Sequence, residues 1–232
     1  MAVSENLRNV RQGIRDALRS AGRAPDATRL LAVSKSFPPS AIREAAAAGQ
    51  VVFGENRAQE LLAKAADPEI PGTVEWHFIG HLQKNKIRKL LPLCSTLHSI
   101  DSLDLARQID RVAAEEGVFP EVYLEVNVAG DSAKFGFTPE GIRADLEALL
   151  SLGRIGVAGL MTIPPLAPVP EASRPHFAAL RELRDELETR GGVPLPGLSM
   201  GMSGDYEVAI AEGSTIVRLG TQVFGRRSTN HT

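Results

Sequence analysis

The sequence predicts a (β/α)8 barrel of the α/β class, on three observations. Eight short apolar runs punctuate the chain, stretches of helical periodicity follow most of them, and glycine-rich turns close the last two. Short apolar runs bounded by turn signals read as buried strands, and strands alternating with amphipathic helices argue a parallel sheet. Eight such strands closing on themselves make a barrel. An open doubly wound sheet carries the same alternation and stands as the second reading. A chain of 232 residues is the size of one barrel domain, so residues 1–232 are expected to form a single domain. Residues 1–24 add an N-terminal helix, and 226–232 form a polar, frayed tail.

The elements follow in order. Leu7, Val10, Ile14 and Leu18 share one face of a helix over residues 4–20, and Gly22 stops it. The first strand is 29–35. Pro38 and Pro39 mark the next helix start, and the alanine-rich stretch 41–48 ends at Gly49. Strands two, three and four are 51–55, 76–80 and 96–100. Asp101 is expected to cap a helix whose stripe is Leu105, Ile109 and Val112. Strand five is 121–127, and Thr138 with Pro139 opens a helix carrying Ile142, Leu146, Leu149 and Leu150 inward. After strand six, 157–162, the proline-rich segment 164–175 reads as a long strand-to-helix loop on the face where barrels place their sites. Phe177, Leu180, Leu183 and Leu187 mark the next helix, which Gly191 and Gly192 end. Strands seven and eight are 197–202 and 215–219.

Bulk composition excludes several classes. Hydrophobic residues make up 43% and charged residues 23%, with a formal net charge of -2. That is ordinary for a globular protein and gives no general attraction to nucleic acid or acidic membranes. Cys94 is the single cysteine, so an internal disulfide and a cysteine-rich metal site are excluded and a reducing cytoplasm is expected. No apolar run reaches the roughly 18 residues of a membrane span, and Glu5, Asn6 and Arg8 interrupt the place of a signal sequence.

Lys35 is the residue with the most chemical content. At the exit of strand one, its stem is expected in apolar surroundings and its amine toward a cleft. Desolvation disfavours an ammonium, and a free amine forms a Schiff base with an aldehyde. The plainer alternative is a surface lysine whose stem snorkels at a strand end. Two late segments are suited to a phosphate. Residues 199–205 offer the Ser203 hydroxyl and the exposed backbone of Gly204, and Arg218-Leu219-Gly220-Thr221 stands at the exit of strand eight. Loops after strands seven and eight are where barrels commonly hold phosphate.

With these residues in place, the motifs Leu31-Ala32-Val33-Ser34-Lys35, Phe53-Gly54-Glu55-Asn56, Trp76-His77-Phe78-Ile79-Gly80, Gly159-Leu160-Met161, Leu198-Ser199-Met200-Gly201-Met202-Ser203 and Val217-Arg218-Leu219-Gly220-Thr221, with Phe224-Gly225, occur in order. Together they resemble the pyridoxal phosphate homeostasis protein family, from about residue 3 to Arg226. The resemblance implies the barrel of the alanine racemase N-terminal domain, binding of pyridoxal 5′-phosphate (PLP), and a role in buffering or delivering that cofactor without established catalysis. It implies that Lys35 is the Schiff-base lysine, that Ser203, Gly204, Gly220 and Thr221 surround the phosphate, that Arg218 faces the pyridine nitrogen, and that Asn56 lies near the ring. Gly204 departs from the aspartate that many relatives carry, so only a backbone role is carried over there, and Asp205 keeps an acidic residue at this turn. The role of Arg218 also has a physical argument. A guanidinium only donates and stays charged, so it requires an unprotonated ring nitrogen, which makes the ring a poorer electron sink. The alternative for Arg218 is a strand-end arginine paired with a carboxylate.

Other residues have plainer readings. His77 and His81 flank Phe78-Ile79-Gly80 without metal-ligand spacing, which argues a structural role at a strand end. The basic run Lys84, Lys86, Arg88 and Lys89 reads as a solvated helix face, with an anion or RNA contact as the alternative. Glu55, Glu125 and Asn127 are expected to face the barrel mouth, Lys134 to be exposed, and Cys94 to be a small core residue. A competing function is an amino-acid racemase, which the related fold supports. That chemistry requires a second base, in racemases a tyrosine from a further domain. The residues after strand eight run only to Thr232, and neither Tyr123 nor Tyr206 is placed to replace it. A monomer in the cytoplasm is expected, with PLP-dependent enzymes as recipients and no nucleic-acid or membrane partner.

Overall fold

In the computed structural model, which describes residues 2–131 and 133–225, eight parallel strands close into one barrel in sequence order. The elements are α1 (Val3–Ser20), β1 (Arg29–Val33), α2 (Pro39–Ala47), β2 (Val52–Glu55), α3 (Ala58–Ala65), β3 (Glu75–Phe78), α4 (Ile87–Leu90), β4 (Cys94–Ile100), α5 (Leu103–Glu116), β5 (Glu121–Glu125), α6 (Pro139–Leu150), β6 (Gly156–Met161), α7 (Arg174–Gly191), β7 (Gly197–Ser199), α8 (Tyr206–Ala211), β8 (Ile216–Leu219) and α9 (Thr221–Phe224). β8 returns to pair with β1, Ala32 against Leu219, which completes the closure and excludes the open sheet. The expected polar tail from Arg226 onward, and Ser132, lie outside the described residues. None of the described helices is long and apolar enough to cross a membrane.

Strand pleating divides the apolar residues into two sets. Ala32, Phe53, Phe78, Leu97, Val122, Leu124, Leu160, Leu198 and Val217 join the main core with the buried helix stripes. Leu31, Val33, Val52, Tyr123, Met161 and Ile216 form a second, smaller cluster inside the barrel. The stripe of α1, Val3, Leu7, Val10, Ile14 and Leu18, is buried in full, and α1 packs against α2, α8 and α9. Cys94 is buried at the start of β4, where desolvation pushes its thiol up to about 12.

Several expected boundaries move. β1, β5 and β7 end two or three residues early, at Val33, Glu125 and Ser199, with a single backbone bond carrying each ladder one residue further, from Ser34 N to Gly54 O, Val126 N to Met161 O and Met200 N to Ile216 O. Asp101 does not cap α5. Ser102 does, its hydroxyl accepting from Leu105 N at 3.3 Å, while Asp101 lies 3.3 Å from His81 Nδ1. The proline-rich loop carries a 3-10 turn at Pro170–Ser173. The Thr138 cap of α6 stands as read, its hydroxyl accepting from Gly141 N at 3.0 Å.

Candidate functional site

The C-terminal ends of β7, β8 and β1 meet on one side of the barrel mouth. The β1 ladder runs one residue past the strand, Ser34 N donating to Gly54 O at 3.0 Å. Lys35 follows, and Ser36 then turns the chain in the left-handed region at φ 64, a conformation that costs a non-glycine residue energy. A buried network opposes that cost. Lys64 on α3 donates to Ser34 O at 2.8 Å and to Glu55 Oε1 and Glu60 Oε1 at 2.7 Å each. Ser34 Oγ donates to Glu55 Oε1 at 2.6 Å, and Ser36 N donates to Glu60 Oε1 at 2.5 Å. Both sides of the Lys35 turn are therefore anchored to α3. Lys35 itself is exposed. The strand ends before it, and the polar network lies on the α3 side of its turn.

The same network corrects the reading of Glu55. Its side chain is fully buried against Lys64 and does not open on the mouth. Desolvation raises its pKa, and the bonds from Lys64 and Ser34 pull it back in part. Glu55 Oε2 and the neighbouring Asn56 Oδ1 are buried without a hydrogen-bond partner among the described residues. Asn56 sits under Gly80, where a Cβ would lie 2.1 Å from Asn56 O, so only glycine permits the approach of the β2 and β3 exits.

Beyond β7, Asp205 closes the turn, its Oδ1 accepting from Met202 N at 2.7 Å and Oδ2 from Ser173 Oγ at 3.1 Å. That leaves Ser203 at the turn's half-buried edge and Gly204 exposed, with open space where a Cβ would stand. Beyond β8, Gly220 lies against the end of β1, where a Cβ would meet Val33 O at 3.1 Å. Thr221 then begins α9. Two contacts, neither visible in the sequence pattern, lock these loops together. Gln222 Nε2 donates to Ser203 O at 2.8 Å, and the Phe37 ring packs on Phe224 with centroids 5.0 Å apart. Gly204 and Asp205 also line a cleft of about 350 Å3 with Lys134, Ile163 and Met202.

Arg218 is almost wholly buried inside the barrel. It donates through Nη1 to Ser199 O and Oγ at 2.6 and 2.7 Å and through Nη2 to Thr162 O at 2.9 Å. No ion pair to a carboxylate holds it among the described residues, which removes the strand-end alternative. Burial lowers its pKa to about 10, against the raising influence of Glu125 and Asp205, so it remains a cation at neutral pH. Glu125 is pushed up to about 7, first by burial, with Arg218 acting in the other direction. Asn127, expected at the mouth, folds back instead, donating to Asp131 O at 2.7 Å and accepting from Asp131 N at 3.2 Å. Lys134, expected in solvent, is half-buried and donates to Ile163 O at 3.3 Å. His81 stacks on Phe135 with centroids 4.0 Å apart, and His77 pairs with His98 in the interior. In the basic run, Lys84 pairs with Asp104 and Arg88 with Glu115 and Glu116, the solvated face that was the plainer reading. No cluster of metal-ligating side chains occurs among the described residues.

The family model for the alanine racemase N-terminal domain matches residues 5–228. A pyridoxal phosphate homeostasis protein of Aquifex aeolicus is 46% identical over 228 residues, covering 98% of this chain and 99% of the relative. The chain belongs to the pyridoxal phosphate homeostasis protein family. A family member from Pseudomonas aeruginosa is 44% identical, over 97% of this chain and 96% of its own length. Among solved structures, PipY of Synechococcus elongatus with PLP bound superposes with a TM-score of 0.82 at 42% identity, over 91% of this chain and all of that one. An alanine racemase of Clostridium difficile shares the fold alone, at 18% identity with a TM-score of 0.72 and 58% of its length covered. The chain thus shares the barrel of that racemase at low identity, while its family is the homeostasis proteins.

Proposed function

We propose that this protein binds PLP at the mouth between β1, β7 and β8, holds it as a Schiff base on Lys35, and buffers or delivers it to PLP-dependent enzymes. The observation that carries the reading is the convergence there of three complementary parts. An exposed amine stands on an anchored turn, a buried guanidinium has donors to spare, and two hydroxyl-and-glycine loops are tied together by Gln222. The donor set fits the group. Nε and the second proton on Nη2 of Arg218 have no acceptor among the described residues, and the pyridine nitrogen is an acceptor. Ser203 and Thr221 offer hydroxyls, and Gly204, with open space where a Cβ would stand, and Gly220, close against Val33, would let a phosphate dianion approach the backbone. Asn56 supplies its buried polar side chain beside the β1 exit. When bound, PLP supplies a carbonyl carbon that a primary amine can reach and that other amines can take in exchange.

Two further observations favour a carrier over a racemase. Relatives at up to 46% identity bear the homeostasis name. Both tyrosines are committed elsewhere, Tyr123 stacked on His98 inside the barrel and Tyr206 bonded to Glu207 Oε1 at 3.1 Å beside α1. Arg218 also keeps the ring nitrogen unprotonated, which weakens carbanion stabilisation. A monomer in the cytoplasm is part of the same reading.

The test is PLP titration of the purified protein followed by borohydride reduction and peptide mass spectrometry. A visible absorption band and a reduced adduct on Lys35 are expected, with both lost in Lys35→Ala. A normal adduct at one other lysine in Lys35→Ala would overturn the assignment. Incubation with L-alanine in D2O separates carrier from racemase. Deuterium at Cα or D-alanine, formed at the roughly 1–10³ s⁻¹ of ordinary enzymes, would promote the racemase.

A further inference from the structure

A line of polar side chains crosses the barrel interior from Arg218 toward the end opposite the mouth. Ser199 Oγ, which accepts from Arg218 Nη1, lies 2.8 Å from His98 Nδ1. His98 Nε2 lies 2.9 Å from His77 Nδ1. All four residues are buried, and the His98 ring is clamped against Tyr123 at 4.7 Å with planes 10° apart. His77 in turn lines a cavity of about 640 Å3 at the N-terminal ends of the strands, with Arg29, Glu75, Thr96 and Glu121. Thus β8, β7, β4 and β3 each contribute one link.

Donor and acceptor chemistry gives this line a direction. A guanidinium can only donate, so Ser199 Oγ is an acceptor toward Arg218. Its own proton then needs a partner, and the only one within reach among the described bonds is His98 Nδ1. His98 must therefore be the Nε2–H tautomer, which donates to His77 Nδ1 and makes His77 Nε2–H as well. The reverse order, with His98 Nδ1–H donating to Ser199, leaves the hydroxyl proton without a described acceptor and turns an N–H dipole toward a cation. Both effects are costly in a low-dielectric interior. Burial keeps both rings neutral, His77 lowered to about 3 and His98 lowered well below the usual value.

We propose that Ser199, His98 and His77 are positioning residues for Arg218, a one-way hydrogen-bonded chain that fixes the guanidinium with its spare donors toward the ring nitrogen of the bound cofactor. The proposal rests on the PLP-binding reading for its ligand, but the direction of the chain does not. With Nη1 spent on Ser199 and one Nη2 proton on Thr162, rotation of the guanidinium would break three bonds at once. Packing alone would require neither the hydroxyl at 199 nor a particular tautomer at 98.

The experiment has two arms. In the first, long-range ¹H–¹⁵N NMR on the cofactor-free wild-type protein reads the histidine tautomers. Neutral Nε2–H forms at both His77 and His98 are expected, and His98 as Nδ1–H would overturn the chain. In the second, wild type, Ser199→Ala, Ser199→Thr and His98→Phe are loaded with PLP labelled with ¹⁵N in the ring. Ser199→Ala and His98→Phe are expected to move the ring-nitrogen resonance and to weaken pyridoxal binding by about fivefold, the equivalent of one hydrogen bond. Ser199→Thr keeps the hydroxyl and should stay close to wild type. An unmoved ring-nitrogen resonance in both Ser199→Ala and His98→Phe would reduce these residues to packing. If wild type takes up no PLP, the proposed function falls, while the tautomers of the cofactor-free protein still decide the chain. They decide it equally if a variant fails to fold.

Discussion

Lys64→Met removes the cation beneath the Lys35 turn. Glu55 is fully buried and keeps only Ser34 as a partner after the change, and Ser34 O loses its bond to Nζ. Breaking a buried pair by deleting one member costs about 3–5 kcal/mol, because the remaining charge is uncompensated. Against a total stability of roughly 5–15 kcal/mol, that is a large fraction. Urea unfolding followed by circular dichroism measures it as a lower midpoint at unchanged slope. The pH dependence has a definite sign. Desolvation already raises Glu55 in the folded state, and removal of Lys64 raises it further. A carboxyl with a raised folded pKa contributes stability that is fully present below its unfolded value of about 4.3 and is lost as pH rises through the folded value. The deficit of Lys64→Met should therefore be small near the lower end of that window and grow toward neutrality. Glu55→Gln/Lys64→Met should recover part of it at neutral pH, since no buried charge at residue 55 then remains. A loss below about 1 kcal/mol, the size of an exposed pair, or a deficit independent of pH, would refute the account of the network.

The remaining predictions concern single groups. Glu125 should titrate near 7 by side-chain carbonyl NMR, and Glu125→Gln should gain stability relative to wild type as pH rises from the unfolded carboxylate value toward 7; titration in the ordinary carboxylate range would contradict the burial. Cys94, with its thiol pushed up to about 12, should resist a thiol reagent in the native protein and react at once in denaturant; fast native labelling would place it at the surface. Ser102→Ala should cost about 1 kcal/mol in thermal or urea unfolding, and Asp101→Ala less, because only Ser102 accepts from the helix; equal losses would argue that Asp101 shares the cap. Pyridoxal should bind at least about tenfold more weakly than PLP if the loops of Ser203 and Thr221 hold the phosphate through charge-assisted bonds; equal affinities would remove those loops from the site.

Where a single element carries its own signal, the sequence reveals it. The α1 stripe, the Thr138 cap and the Gly191-Gly192 stop are local patterns, and each is realised, Gly192 closing α7 at φ 62. α3 escaped notice because its buried face consists of Leu61 and Lys64, and a buried lysine breaks the apolar stripe that marks a helix. The early end of β1 was equally hidden, since the Ser34 hydroxyl and carbonyl are taken by Glu55 and Lys64, partners 21 and 30 residues away. In the mouth, Lys35 and Arg218 were legible from their places at strand exits. Their supports were not. Ser199 and His98 are 101 residues apart, and nothing short of barrel closure makes them neighbours. Asp101 and Ser102 are both competent caps by type, and only backbone geometry decides between them.

Pleat parity explains why the two key side chains of the mouth are held so differently. Arg218 shares the inward face of β8 with Ile216, so its supports come from the exits of the next two strands, Ser199 on β7 and Thr162 just after β6. Ser34 points to the outward face of β1, so the support of the Lys35 turn comes from α3, outside the barrel, through Lys64 and Glu60. The inward donor is buried and held by three hydrogen bonds, whereas the amine is exposed on a turn bonded through its backbone. On the proposed function this division is useful. Arg218 and the two glycine-containing loops would hold the cofactor in register, and Lys35 would stand where an incoming amine has access. A catalyst that must protonate and deprotonate a substrate carbon requires bases packed around that carbon. A carrier requires the opposite, a fixed ring and an open exchange point, and on the proposed function the mouth would meet both conditions by drawing its anchors from opposite faces of the same sheet.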